Sequence, residues 1–527
     1  MGANACAARC RIQGSDRRVR RCSLALISLA LLCASSAAAQ KLPANARLPL
    51  QHWTTPFLEH LARTGVITDP SPLMRPWRVG DIATALAAAD TLQMTSAERR
   101  TRGAILDVLQ ASSSEEGLFA GVDVGVVTST HQRRPEFSLR PKGTDRVTPE
   151  ASGLFGFWFG PALLMVHARY NEDLEDDPDY AGLLGQVEIR TQEAYGAFQS
   201  RYLAVELGNI SRNWGPPGFP GLLVSDWPLS YDHLFVRLGP QRIHMNIMVA
   251  QLDDALDGQG ELSKRFFVAH RLAARLWPWL DLAFWQGTVL TGPNRNLELW
   301  YLNPIQPTYF ARNQQGQEGN INFLYGVDGQ MRLGRFVLSG SAFLDDFDFP
   351  EGEPAAFGLT ATATTSFGAA SMWLGYTLVS NLAYNTNDPA EKVLIALDPA
   401  RGRVGNGLAR NFSDYDQLTI RATVVPFPGL IVGPELTLLR QGEGDLRLPF
   451  PTRDQFDETP TLFVGVVERT WRAGLVSTLH LPLGVTAHLN VGVHRIVNAG
   501  HQTGASQTEF VGTALLRYGL WHIGPFD

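Results

Sequence analysis

Phe357-Gly358-Leu359-Thr360-Ala361-Thr362-Ala363-Thr364 is the stretch whose reading decides the fold. Leu359, Ala361 and Ala363 alternate with threonines, a period of two that matches the two faces of a strand and no face of a helix. The alternation returns at Leu418, Ile420, Ala422 and Val424 against Thr419, Arg421, Thr423 and Val425. It returns again at Val485, Ala487, Leu489, Val491 and Val493 against Thr486, His488, Asn490, Gly492 and His494. A soluble sandwich buries the apolar set and a membrane barrel turns it to lipid, so alternation alone leaves the environment of each face open.

The connections discriminate. Tight ones stand at Phe159-Gly160-Pro161, Gln199-Ser200, Gly239-Pro240-Gln241, Trp277-Pro278-Trp279, Leu333-Gly334-Arg335, Phe367-Gly368, Pro426-Phe427-Pro428-Gly429 and Pro482-Leu483-Gly484. Between them lie long polar ones near residues 129–149, 172–182, 209–230, 253–263, 291–319, 347–355, 382–414, 442–460 and 498–507. Strict alternation of short and long joins is the pattern of a membrane barrel with short turns on one side and long loops on the other. Nine long and eight short joins connect eighteen strands between residues 118 and 518. The even count places both barrel ends on the short-turn side. The last strand is expected to end near the aromatic Tyr518, followed by Leu520 and by two further aromatics, Trp521 and a penultimate Phe526.

Composition agrees. The longest apolar run, Gly153 to Val166, is broken by Gly160-Pro161 and falls short of the ~18 to 20 residues a spanning helix needs. A membrane would therefore be crossed by strands. Residues 1–39 read as a secretory signal: Arg17, Arg18, Arg20 and Arg21, an apolar stretch from Leu24 to Leu32, then Ala37-Ala38-Ala39. Leu32 before Cys33 argues against lipidation, which wants a small residue there. Cys6, Cys10, Cys22 and Cys33 all fall in this segment, so disulfides, thiolate metal sites and cysteine nucleophiles are excluded from the rest. Without its six arginines and one aspartate, the chain keeps 39 basic and 50 acidic residues, a formal charge of −11. Nucleic acid is not expected as a partner of so acidic a chain.

The reading divides the chain into the signal at 1–39, a small helical region at 40–116 and an all-β transmembrane barrel at 117–527. Thr55 and Pro56 suit the start of a helix carrying Phe57, Leu58 and Leu61, with Gly65 at its end. A second helix is expected from Gly80 to Asp90, and a third opens with the capping box Thr95 to Glu98. Three short helices enclose little core alone and are expected to pack on something larger.

Arg212-Asn213-Trp214-Gly215-Pro216-Pro217-Gly218, with Leu222-Leu223-Val224-Ser225 and Trp227-Pro228 behind it, resembles the capsule-assembly Wzi family. So do Lys264-Arg265-Phe266 with His270-Arg271-Leu272, Tyr301-Leu302-Asn303-Pro304, Asn320 to Asp328, and the helical opening Phe57 to Ile67 with Trp77 to Leu86. Pro217 between Pro216 and Gly218 departs from the family's pattern. The resemblance covers the chain to about residue 335; beyond it only the strand pattern agrees. It implies an eighteen-stranded outer-membrane barrel with a periplasmic helical bundle, acting as a lectin that holds capsular polysaccharide at the cell surface.

Chemistry is sought in the loops. Arg212, Trp214, Asp226, Trp227 and Tyr231 combine aromatic faces with charged groups, a mixture suited to sugar rings and hydroxyls. The plain alternative is a rigid loop folded into the barrel. Trp300 and Tyr301, near Arg295 and Glu298, form a second candidate, against ordinary interfacial anchoring. The acidic run Glu172, Asp173, Glu175, Asp176, Asp177 and Asp179 suits divalent cations or simple solvation. Asp253, Asp257 and Gly258 lack the remaining ligands of a calcium loop. Arg265, Arg271 and Arg275 share one strand face and either draw anions into the lumen or pair with acids there.

Hydrolase and phosphate-binding motifs are missing, and Asp345 and Asp346, adjacent on a strand, point to opposite sides. No catalytic site, metal or cofactor is expected. Expected partners are surface polysaccharide and outer-membrane lipid, for a monomer. A porin-like diffusion channel is the alternative.

Overall fold

The computed structural model describes residues 42–109, 115–131, 139, 142–172, 189–315, 320–345, 353–367, 370–395 and 406–524. The signal segment, most of the acidic run (Asp173 to Asp179), Gly368 and Phe526 lie outside them.

Eighteen antiparallel strands close one barrel. They are β1 (Glu116–Ser129), β2 (Arg146–Phe159), β3 (Ala162–Asn171), β4 (Ile189–Gln199), β5 (Leu203–Ile210), β6 (Tyr231–Leu238), β7 (Ile243–Leu256), β8 (Leu262–Trp277) and β9 (Leu280–Gly292). There follow β10 (Ile321–Leu333), β11 (Phe336–Asp345), β12 (Ala356–Phe367), β13 (Ala370–Val379), β14 (Tyr415–Phe427), β15 (Leu430–Gln441), β16 (Glu468–Leu481), β17 (Val485–Val497) and β18 (Ser506–Gly524). Each pairs with its neighbours in sequence, and β18 returns to β1 with Leu520 opposite Val122. The last strand runs past the expected end at Tyr518. Trp521 keeps it in the wall by donating from Nε1 to Asp123 Oδ1 at 3.0 Å.

Tight turns fall where glycine and proline announce them. Gly334 and Gly429 take positive φ, 58° and 77°, in two of them, a conformation glycine adopts without a Cβ clash. One connection expected to be long is short, because β7 ends at Leu256 and β8 begins at Leu262. Asp257 organises it, its carboxylate accepting from the Gln259 and Glu261 amides and the Ser263 hydroxyl.

Burial inverts the rule of soluble proteins. Leu359 is 40% exposed while its neighbour Thr360 is 0% exposed. Val122, Val126, Phe155, Leu282, Leu374, Leu436 and Leu516 also face outward and uncovered. Inside stand hydrogen-bonded threonine pairs, Thr360 with Thr377 at 2.8 Å and Thr419 with Thr437 at 2.9 Å. Ion pairs stand there too: Glu150 with Arg169 and Arg517, Arg271 with Asp328, and Glu435 with Arg421 and Arg472. An apolar outer wall is stable only against lipid, and an inner wall removed from water must satisfy its polar groups internally. Exposed Phe159, Tyr202, Trp277, Trp279, Phe336, Phe367 and Phe427 mark the tight-turn end, as an interfacial aromatic girdle does.

Three helices, α1 (Thr55–Arg63), α2 (Val79–Ala87) and α3 (Ser96–Leu109), enter the barrel from the tight-turn end. The first begins at Thr55 rather than being capped by it, Thr54 taking the cap position; Pro56 stays in the first turn, where no amide partner is needed. The Thr95–Glu98 capping box is formed in both directions. Trp53, Phe57, Leu61, Trp77, Ile82 and Ile105 merge with the inward-facing Phe119, Leu154, Trp158, Met165 and Val425 in one core. His60 joins the helices to the wall, contacting Glu98 at 3.0 Å and Ser371 at 3.1 Å.

Leu374 lies midway along β13 on the outer face. Leu374→Arg is expected to destabilise the folded barrel in lipid vesicles by about 2 to 4 kcal/mol, the cost of a cation near the bilayer midplane. Denaturant titration of vesicle-folded protein checks this.

Candidate functional site at the filled lumen and loop end

The lumen is filled from both ends, and the two fillings meet. Met74–Arg75, from the helical region, pairs antiparallel with Asn213–Trp214 of the loop after β5. The Gly215 amide donates to Leu73 carbonyl oxygen at 2.9 Å. Leu222, Leu223 and Val224 of the same loop are fully buried among Phe235, Phe267, Trp285 and Phe343 of the wall. Wall glycines make room for it. A Cβ on Gly287 would stand 2.4 Å from Leu223, and one on Gly375 would stand 2.5 Å from Phe219.

One carboxylate joins the fillings to the wall. Glu206 of β5, 0% exposed, holds Arg47 of the helical region at 2.5 Å and Arg212 of the inserted loop at 2.6 Å. Arg212 also donates to His233 Nε2 at 2.6 Å and lies 4.1 Å above the Phe235 ring. A lone buried carboxylate would be costly; with a guanidinium on each oxygen its charge is compensated and both donors are fixed in direction.

Residues 380–395 and 406–414 form a third layer at the loop end. Tyr384 donates its hydroxyl to Leu222 carbonyl oxygen at 2.7 Å. Arg265, fully buried, donates to the carbonyl oxygens of Ala390, Lys392 and Leu394. It thus anchors a loop instead of drawing in anions, while Arg271 and Arg275 pair with Asp328 and Asp281 on the wall. The Asp414 carboxylate accepts the Gly444 and Val464 amides at 3.0 and 2.9 Å, tying the next loop to this layer. Burial pushes the Lys392 ammonium down to about 8 against the pull of Asp445; it donates to Leu448 carbonyl oxygen at 2.6 Å. Two cavities between filling and wall among the described residues are small, about 20 Å³ beside Arg271 and Asp328 and about 30 Å³ beside His167 and Gln192. Each has room for roughly one or two waters.

The loop after β9 goes elsewhere. Its helix α4 (Thr308–Gln315) and Tyr301 lie against the outside of the barrel, over Val268, Leu290 and Phe323. Beneath this strap Gln286 contacts His270 at 2.8 Å and accepts the Thr308 amide at 3.2 Å, and Thr288 donates to Thr308 Oγ1 at 2.9 Å. Polar residues at outward positions would be intolerable against lipid, and the strap is what shields them.

The expected sugar-binding residues therefore divide between two places that the fold does not bring together. Arg212, Trp214 and Tyr301 are 3% exposed or less, Trp227 is 8% exposed with its edge on Phe412, and Asp226 is exposed. Tyr231 and Trp300 are half-buried. Arg212, Trp214, Asp226, Trp227 and Tyr231 belong to the inserted loop and its exit, as the folded-in alternative has it; Trp300 and Tyr301 belong to the strap. Sequence reading missed Glu206, whose one signal is an acid amid Leu203-Ala204-Val205 and Leu207. It also missed the strap, announced by His270, Gln286 and Thr288 at outward register positions.

Wzi of Escherichia coli, described as an outer membrane protein involved in group 1 capsule assembly and a carbohydrate-binding β-barrel, superposes with a TM-score of 0.59 and 13% identity. The match covers 90% of this chain and 98% of that one. Acinetobacter baumannii OccAB4 follows at TM-score 0.45, 9% identity, 78% of this chain and 100% of that one. Pseudomonas aeruginosa OccK3 stands at 0.43, 12%, 77% and 96%. No family model and no curated protein matches. At these identities the likeness is one of fold, that of an outer-membrane β-barrel.

Glu206→Gln is expected to cost about 3 to 5 kcal/mol, since it leaves two buried guanidinium groups without a counter-charge. The same titration checks it. Replacing Arg47, Glu206 and Arg212 together by methionine or leucine should recover most of the loss, because no charge then remains uncompensated.

Proposed function

We propose that this chain holds surface polysaccharide, capsular or of related kind, at the loop end of an outer-membrane barrel, as a monomer with no catalytic role. One observation carries the reading: helices and loops fill the lumen from both ends and share Glu206, so the described parts serve a surface rather than a passage. The Arg212 to Pro228 segment that resembles the Wzi family supports it, as does the fold shared with a barrel described as carbohydrate-binding. In this reading Asp226 offers an accessible carboxylate and Tyr231 and Trp300 the uncovered parts of their rings, while Arg212, Trp214, Trp227 and Tyr301 hold the loops in shape beneath them. Residues 1–39 act as the export signal.

The second reading, a diffusion channel, draws on the polar inner wall of threonines and ion pairs. It requires the inserted loop to leave the lumen. Conductance of the refolded barrel in a planar bilayer separates the two. A closed barrel is expected, with surface polysaccharide retained by the wild type and retained about tenfold less by Trp300→Ala, a loss of about 1.4 kcal/mol. A large steady current indifferent to polysaccharide would assign the chain to the channels.

A further inference from the structure

The outer wall carries a row of arginines that neither the lumen filling nor the proposed glycan surface uses. Arg440 of β15 pairs in register with Arg469 of β16, and Trp471 of β16 pairs with Arg495 of β17. All three arginines point outward at the loop end of their strands. Like charges directly opposite one another across a ladder are destabilising. Arg440 is compensated by Asp416, which also accepts the Tyr376 hydroxyl at 3.0 Å, and it lies 4.8 Å from the Phe463 ring. Arg469 and Arg495 are exposed, and among the described residues neither forms an ion pair; Arg495 donates only to the Thr508 hydroxyl, at 3.0 Å.

Directly below the row the wall is hollowed. Leu436, Ala473, Gly474, Val491, Val493 and Phe510 line a shallow apolar groove of about 580 Å³ running across the strands towards the bilayer centre. Trp471, 55% exposed, stands between arginines and groove, at the level where an indole bridges polar and apolar surroundings. Cations above an apolar furrow fit a ligand with an anionic head and a hydrocarbon tail. Arg469 and Arg495 are diagonal neighbours across the β16–β17 ladder, their Cα atoms about 7 to 8 Å apart, so their long side chains can reach the several oxygens of one phosphate.

We propose that Arg469 and Arg495, with Trp471 and the groove beneath, form a binding site for a phosphorylated lipid of the outer leaflet. The phosphate lies across the arginines and one acyl chain lies in the furrow. This inference is independent of what the loops bind.

The test uses the full barrel folded in detergent, with native mass spectrometry reading retention of diphosphoryl lipid A, the same lipid dephosphorylated, and inorganic phosphate as competitor. The phosphorylated lipid is expected to be retained strongly and the dephosphorylated one weakly. R469Q with R495Q should lower retention of the phosphorylated lipid about thirtyfold, two basic residues' share of an anionic-lipid contact. Millimolar inorganic phosphate should not displace the lipid. Equal retention of the two lipids, unchanged retention by the double variant, or displacement by phosphate would each overturn the proposal. Should the double variant fail to fold, the wild-type comparison of the two lipids decides alone.

Discussion

In hydrocarbon a backbone amide has no water to bond, so a strand that crosses a membrane must be paired on both edges. This constraint dictates closure, and closure dictates the rest. Eighteen strands satisfy every ladder only by returning β18 to β1, and a barrel of that size encloses more space than its own wall side chains fill. The interior must be left to water or filled by other parts of the chain. Here the chain supplies the filling, helices from the tight-turn end and the Trp214 loop from the other.

Filling a polar lumen creates an electrostatic problem that Glu206 meets. The helical region and the inserted loop each bring an arginine to the same carboxylate, so withdrawing either leaves one oxygen of a buried carboxylate without its charged donor. Coupling of this kind makes the two ends of the barrel one structural unit. The tryptophan and leucines of the inserted loop add apolar burial, and the loop's proline-rich bend, passing the wall glycines Gly287 and Gly375, keeps it narrow enough to fit.

The outer surface is less uniform than the alternating pattern suggests. On most strands it is the expected apolar wall, but β8 to β10 hide polar residues under the strap, and β15 to β17 raise arginines above a furrow. Each departure sits at an outward register position whose residue type contradicts a lipid contact. Such contradictions are visible in a sequence only after the register is known, because a shift of one residue exchanges the inner and outer faces.

Strand number, alternation and turns follow from local chemistry, and for that reason they are legible in the chain itself. The period of two at Phe357 to Thr364, the Gly-Pro and Pro-Gly turns and the capping box at Thr95 each depend on residues within a few positions of one another. The sequence also placed charge and aromatics in the loop from Arg212 to Tyr231. Whether that loop stands in water or folds inward is decided by partners far along the chain: Arg47 lies 159 residues from Glu206, and Tyr384 lies 162 from Leu222. The tertiary structure alone brings these together. It buries Trp214 and Tyr301, leaves Asp226 at the surface and lays Trp300 outside the wall, because packing and charge compensation across the closed barrel, and no local preference, determine which side chains the lumen accepts.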